Sequence, residues 1–78
     1  MFNEIKEMIV QNLDIDPKLI KEETNLRNDL DINSFELVNL ICLFEDKYDL
    51  DFNERDIRDI KTIKDAENLI KKYQAKKN

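Results

Sequence analysis

Apolar residues recur at spacings of three and four along this chain, and they never alternate with polar residues for long. This spacing is typical of amphipathic helices, whereas a half-buried strand needs an apolar residue at every second position. The sequence also has no glycine and a single proline, Pro17, so few positions favour sharp breaks. We therefore predict an all-α fold, a small bundle of three main helices plus one short helix.

The apolar pattern also predicts where the helices lie. The first helix runs from Phe2 or Asn3 to Leu13 and carries one apolar stripe. A long loop over 14–33 follows, and because long loops without packing are uncommon, we expect it to pack through its own apolar residues, which are Leu19, Ile20, Leu26, Leu30 and Ile32.

Three further helices are expected beyond this loop. The second runs from Ser34 to Tyr48, and a polar break anchored by Leu50 and Phe52 separates it from a short helix that starts at Glu54 and ends at Asp59 or Ile60. Thr62 and Asp65 form a capping-box pattern, which predicts the start of a last helix that extends to about Tyr73. The basic tail over 74–78 is expected to fray.

Two apolar stripes run along the predicted second helix. At 100° per residue, one narrow arc forms the core face, with Leu40 at its flank; it contains Leu37, Ile41, Phe44 and Tyr48. A second arc is displaced by a quarter turn or more and contains Phe35, Val38 and Cys42. In so small a domain we expect this second stripe to be partly exposed and open to a partner.

The start of this helix has an unusual polar arrangement. Asn33 is placed to cap it, and Glu36 lies three residues later, as in a capping box. Ser34 is then the first residue inside, next to backbone N–H groups without helical partners and at the positive end of the helix dipole. A phosphate ester on Ser34 is electrostatically favourable there, although serines at this position are more often only structural.

Composition excludes several function classes. Seventy-eight residues are enough for a single domain, 1–78. There is no histidine, so the usual general base and the commonest zinc ligand are absent, and Cys42, the single cysteine, has no histidine to activate it. The segments beginning at Asp29 and Asp49 resemble calcium loops but lack the required glycine and the final glutamate. We expect no catalytic residue, no metal site and no enzyme activity.

The net charge is −5 and is unevenly distributed. Ten acidic and three basic residues lie between Asp29 and Asp59, so that segment carries −7 and the remainder +2. This favours basic protein partners and argues against nucleic acid. No run is apolar enough to span a membrane, and the first helix does not have the pattern of a signal peptide. We therefore expect the protein in the reducing cytoplasm. We also expect it to be a monomer.

The order of these elements resembles the acyl carrier proteins over essentially the whole chain. In that family a serine at the start of an acidic second helix carries 4′-phosphopantetheine, and Ser34 is the matching position. The segment from Ser34 to the run Phe44-Glu45-Asp46-Lys47-Tyr48 is similar to the family's pattern. The resemblance implies a group carrier that holds an acyl group as a thioester and delivers it to fatty-acid or polyketide biosynthesis enzymes.

The resemblance also implies partners and residue roles. A phosphopantetheinyl transferase with Mg²⁺ installs the arm from coenzyme A, and acyl-transferring and synthase enzymes with basic surfaces then visit the carrier. The residues that match the family's partner-binding positions are Asp31, Phe35, Glu36, Val38, Cys42, Glu45, Asp46, Glu54 and Asp56. The residues that match the border of its acyl-chain cavity are Ile5, Ile9, Leu37, Leu40, Phe44, Ile60 and Leu69.

Three positions depart from the family pattern and leave the cargo open. The aspartate before the serine is Asn33, the glycine three residues before the serine is Asp31, and an acidic position within the second helix is Asn39. Asp31 therefore predicts an approach to the helix without a left-handed residue. The pair Ser34-Phe35 also resembles D-alanyl carrier proteins, so an aminoacyl or specialised cargo is an alternative. A third hypothesis is an unmodified acidic helical module that docks a partner.

Overall fold

A computed structural model describes residues 1–77 of the chain. Four helices follow one another: α1 (Phe2–Leu13), α2 (Ser34–Tyr48), α3 (Glu54–Arg58) and α4 (Ile63–Lys76). A single 3₁₀ turn, Pro17–Leu19, interrupts the long loop between α1 and α2. This order confirms the predicted all-α architecture of three main helices and one short one.

Polar side chains define the helix ends. The capping boxes are present at both predicted places: Asn33 and Glu36 start α2, and Thr62 and Asp65 start α4. At the other ends, Asp14 after α1 and Asp49 after α2 each have φ near 54°, a left-handed conformation that usually belongs to glycine. A chain without glycine therefore ends α1 and α2 with aspartates, which tolerate this conformation better than most residues.

The helices enclose one hydrophobic core. α1 contributes Ile5 and Ile9, and α2 contributes Leu37, Leu40, Ile41 and Phe44. Tyr48, the last residue of the predicted core face, is only partly buried. The largest fully buried side chains are Phe44, Ile5, Ile9, Leu26, Leu40, Ile41, Ile63 and Ile70. All seven residues assigned to the cavity border are buried, and Phe52 is buried between α2 and α3 as the expected anchor.

The long loop is tied to the segment around the start of α4. Leu26 N–H donates to the carbonyl of Lys61 at 2.8 Å, and Ile63 N–H donates to the carbonyl of Thr24 at 3.2 Å. Four of the five apolar loop residues are buried as predicted, but the prediction for Leu19 is wrong, since its side chain is 56% exposed. Leu19 ends the 3₁₀ turn, and the next residue, Ile20, is the one that enters the core.

The C-terminal end of α4 differs from the sequence-based expectation. The helix continues three residues past Tyr73 to Lys76, so 74–76 are helical and not frayed. Lys77 then binds back to the end of α2, with Nζ 2.8 Å from Asp49 Oδ2. This hydrogen bond, together with the lysine charge, holds the pKa of Asp49 below its usual range. The expectation for Asn78 lies outside the described residues.

Tyr73 fixes the short helix α3. Five residues are too few for a stable isolated helix, so α3 depends on contacts. The Tyr73 hydroxyl donates to the Asp56 carboxylate and accepts from Asn53 N–H at 3.1 Å, and its ring meets Phe52 edge to face at 4.9 Å. The bond to Asp56 raises the pKa of Tyr73. One side chain of α4 thus holds both the cap and the first turn of α3.

Tyr48 joins the end of α2 to the start of α1. Its hydroxyl donates to Glu4 Oε1 at 3.2 Å. Burial, this bond and the charge of Glu4 together raise the pKa of Tyr48 to about 12. The folded chain therefore keeps this proton to higher pH than the unfolded chain does.

We expect the stability that Tyr48 contributes to be complete below pH 10 and to fall as the pH rises towards 12. In that window the unfolded state has released a proton that the native state still binds, so deprotonation favours unfolding. A Tyr48→Phe variant lacks this linkage. Urea unfolding of the parent protein and the variant across this pH range checks the prediction. The difference between their free energies of unfolding should narrow as the pH rises, and a difference that does not change with pH contradicts the prediction.

Candidate functional site

The Ser34 hydroxyl lies on the surface at the first residue of α2. Asn33 Oδ1 accepts from Glu36 N–H at 2.8 Å, and Glu36 Oε1 accepts from Asn33 N–H at 3.1 Å, so the cap itself does not involve Ser34. The serine Oγ instead accepts a hydrogen bond from Arg27 Nη2 at 2.9 Å. This hydroxyl is therefore accessible, next to a helix N-terminus, and in contact with a cation.

Arg27 reaches Ser34 because the loop folds tightly around Asn25. The side-chain oxygen of Asn25 accepts from the N–H groups of Arg27 and Asn28 at 3.0 and 2.9 Å, which forms a local turn. Ile32 N–H then donates to the carbonyl of Leu26 at 3.0 Å and brings the chain back to α2. None of these contacts involves the Arg27 side chain, so the loop backbone and the Asn25 side chain together place Arg27 beside Ser34.

A cleft of about 520 Å³ opens beside Ser34, between α2 and the α3–α4 region. Its apolar lining comes from α2, α3 and the residue Ile60 that follows α3, and consists of Leu37, Val38, Ile57 and Ile60. Three cations also line it: Arg27, Arg58 and Lys61. The cleft thus offers an apolar surface and positive charge to a group attached at Ser34.

Other hydroxyl groups are less available than Ser34, the only serine of the sequence. Thr24 is buried, and its Oγ1 donates to the carbonyl of Leu19 at 3.0 Å. Thr62 caps α4 through a bond from Asp65 N–H at 3.1 Å. Tyr48 and Tyr73 donate to carboxylates, as described above. Ser34 alone combines exposure with a cleft next to it.

The acidic residues assigned to partners fall into two groups. Asp31, Asp46 and Glu54 are exposed, although Glu54 lies 3.6 Å from Arg58. The other three are partly buried and already accept hydrogen bonds within the chain; they are Glu36, Glu45 and Asp56. Glu45 Oε2, for example, accepts from Phe52 N–H at 2.9 Å. The first group is therefore better placed to meet a visiting cation.

The second apolar stripe of α2 is exposed, as expected. Phe35 is 74% exposed and Val38 54%, and Cys42 is a free, exposed thiol. The stripe begins one residue after Ser34 and follows the same helix. Whatever reaches the Ser34 hydroxyl along α2 therefore meets apolar side chains.

Sequence reasoning missed the positive charge around Ser34. The count of charges predicts a negative field around and after this residue, yet Arg27 and Lys61 lie outside the acidic segment and reach the serine cleft only in the fold. Arg27 is seven residues before Ser34 in the sequence. Lys61 lies just before α4, in the segment that pairs with the long loop. No periodicity in the sequence indicates either contact.

Comparison with known proteins shows the family of this chain. A family model described as "Phosphopantetheine attachment site" matches residues 3–70. The acyl carrier protein of Lactobacillus acidophilus is 39% identical over 74 residues, which cover 95% of this chain and 92% of that protein. The acyl carrier protein of Picosynechococcus is 36% identical over 70 residues, or 90% and 86% of the two chains. The chain belongs to the acyl carrier protein family.

The fold and the cofactor follow from this membership. The crystal structure of an acyl carrier protein from Thermotoga maritima matches with a TM-score of 0.86 at 21% identity, over 97% of this chain and 88% of that one. Membership of the family also gives the cofactor of the present chain, which is covalently bound 4′-phosphopantetheine. The residues at Ser34 fit such a group, since an exposed hydroxyl, a helix N-terminus and a guanidinium suit a phosphodiester. Within residues 1–77 no helix combines the length and apolarity needed to cross a membrane.

Asp31 corrects one expectation about the approach to Ser34. The resemblance matches it to a glycine, and it nevertheless has φ near 55°, in the left-handed region. The turn before α2 thus keeps the backbone geometry that glycine normally provides. Aspartate adopts this geometry at a cost, because a Cβ atom crowds the carbonyl there.

We expect Asp31→Ala to lower the free energy of unfolding by about 1 kcal/mol, since alanine adopts left-handed geometry less readily than aspartate. Asp31→Gly should be at least as stable as the parent protein, because glycine carries no Cβ. Urea unfolding of the three proteins measures both effects. Equal stability of the alanine and glycine variants contradicts a left-handed residue at this position.

Proposed function

We propose that this acyl carrier protein holds its 4′-phosphopantetheine arm on Ser34 and delivers acyl thioesters to fatty-acid or polyketide biosynthesis enzymes. The observation that carries the assignment is the Ser34 hydroxyl itself, exposed at the first residue of α2 and open to a cleft. The names of the acyl carrier proteins similar to this chain support the acyl cargo. The protein acts as one carrier domain over 1–78 and catalyses nothing itself.

The proposed loading reaction is a phosphoryl transfer from coenzyme A. Ser34 Oγ forms a bond to the phosphorus that bears the pantetheine, and the bond from that phosphorus to the adenylate phosphate breaks. The adenosine bisphosphate leaves, and the serine proton passes to a base of the transferase. Arg27 donates to Ser34 Oγ, so the hydroxyl proton remains free to point away from this chain towards such a base.

The arm supplies a terminal thiol, which holds the acyl group as a thioester. This chain's residues then offer the cargo an apolar environment. Leu37, Ile57 and Ile60 line the cleft beside Ser34 and favour an apolar chain folded back against α2. If the arm extended away from the cleft, its thioester would be accessible to a visiting enzyme.

Partner enzymes are proposed to dock along α2. Phe35, Val38 and Cys42 provide exposed apolar contacts, and Asp31, Asp46 and Glu54 provide exposed negative charge. Rim charges of this kind mainly accelerate encounter with a basic surface.

The proposed location of the protein is the reducing cytoplasm. A free, exposed thiol at Cys42 suits that compartment.

Incubation with coenzyme A, Mg²⁺ and a promiscuous phosphopantetheinyl transferase should add one phosphopantetheine to the parent protein and none to Ser34→Ala. Intact-mass measurement reads this out, with circular dichroism to show that both proteins are folded. Thr62→Ser, which keeps a hydroxyl at a cap, should still accept a single arm. An adduct on folded Ser34→Ala overturns the site. A folded parent protein that accepts no arm favours an unmodified interaction module.

We expect the transferase to load the carrier more slowly as salt rises, because exposed charges that steer encounter are screened. Asp46→Asn should lower kcat/KM by up to about fivefold, the range of one exposed charge pair. Glu7→Gln makes the same change on α1 and should have little effect. Rates that do not depend on salt, or equal losses in both variants, contradict steering by α2.

A further inference from the structure

One cation contacts the hydroxyl that the proposed function uses. Arg27 Nη2 lies 2.9 Å from Ser34 Oγ, although Arg27 belongs to the loop before α2 and not to the helix. Lys61 and Arg58 line the same cleft, but Arg58 is partly engaged, with Nη2 3.6 Å from Glu54 Oε2. Arg27 is therefore the positive group best placed to act at Ser34.

We propose that Arg27 is a positioning residue for the phosphodiester that joins the arm to Ser34. This inference rests on the proposed attachment at Ser34. The ion pair holds the root of the arm between the α2 N-terminus and the loop, so that the arm starts along the cleft between α2 and α3. Arg27 thereby favours the state in which this chain shelters its cargo.

The geometry follows from bonding. A phosphodiester on Ser34 has its phosphorus bonded to Oγ, and its two non-bridging oxygens lie only one bond further. A guanidinium already within hydrogen-bond distance of Oγ reaches those oxygens by a small side-chain rotation. Arginine presents a planar fork of donors that matches two phosphate oxygens, which gives the pair direction as well as charge.

The surroundings favour an ion pair at this place. Arg27 has its backbone N–H bonded to Asn25 Oδ1 at 3.0 Å, so the loop does not need to order itself when the phosphate arrives. The N-terminus of α2, where Ser34 lies, attracts the same negative charge. Asp31 and Glu36 are nearby in sequence and repel a phosphate, which makes a compensating cation more valuable.

The test compares the apo and arm-bearing forms of the parent protein, Arg27→Gln, Arg27→Lys and Arg55→Gln. Arg55 is a matched control, since it is an exposed arginine on α3 that does not line the cleft. Two quantities are measured for each protein: the ³¹P chemical shift of the arm, and the Tm of the arm-bearing form minus that of the apo form. Both are repeated at high salt.

We expect the Tm of the arm-bearing form minus that of the apo form to be larger in the parent protein than in Arg27→Gln. Added salt should reduce this difference between the two proteins, because it screens the ion pair. The ³¹P resonance should move in Arg27→Gln, move less in Arg27→Lys and stay in place in Arg55→Gln. Identical ³¹P shifts and Tm differences in Arg27→Gln and the parent protein overturn the role of Arg27. Absence of any arm on Ser34 in the parent protein overturns the proposed attachment instead, so the two failures are distinguishable.

Discussion

The pairing between the long loop and the segment 61–64 at the start of α4 is the contact on which the site depends. Three backbone hydrogen bonds join them: Leu26 N–H to Lys61, Ile63 N–H to Thr24, and Lys64 N–H to Glu22. They bring Asn25 and Thr62 together as an isolated antiparallel β-bridge, and no disulfide within residues 1–77 supports this pairing. Because the loop is held there, Leu26 enters the core, and Arg27, the next residue, faces Ser34.

The charge of this carrier has a different sign at long range and in direct contact with Ser34. Over the whole chain the net charge is −5, which favours encounter with positively charged molecules at long range. Within hydrogen-bond distance of Ser34, however, the contact is with a cation. These features do not conflict, since steering depends on the summed field of many exposed charges, whereas an attached phosphate responds to the few groups it touches. A negative carrier can thus hold its own negative arm.

Much of the fold follows from local chemistry. The stripes of α1, α2 and α4 have helical spacing, and the boxes Asn33/Glu36 and Thr62/Asp65 begin their helices where the sequence predicts. The exposure of the Phe35 stripe also follows from angular position on α2. Errors occur where contacts from elsewhere decide: α4 extends to Lys76, and Leu19 stays outside because Ile20 takes the adjacent place in the core.

The sequence by itself determined the helices, the exposed Ser34 and the excess of acid after it, because capping, periodicity and charge are properties of neighbouring residues. The sequence also indicated the acyl carrier family, since the order of the predicted helices and the position of Ser34 resemble that family. Only the tertiary structure decided the left-handed backbone of Asp31, the cleft beside α2 and the contact of Arg27 with Ser34. The physical reason is that these features arise when a loop closes against a distant segment, and the free energy of that closure comes from the shared core and not from local preference.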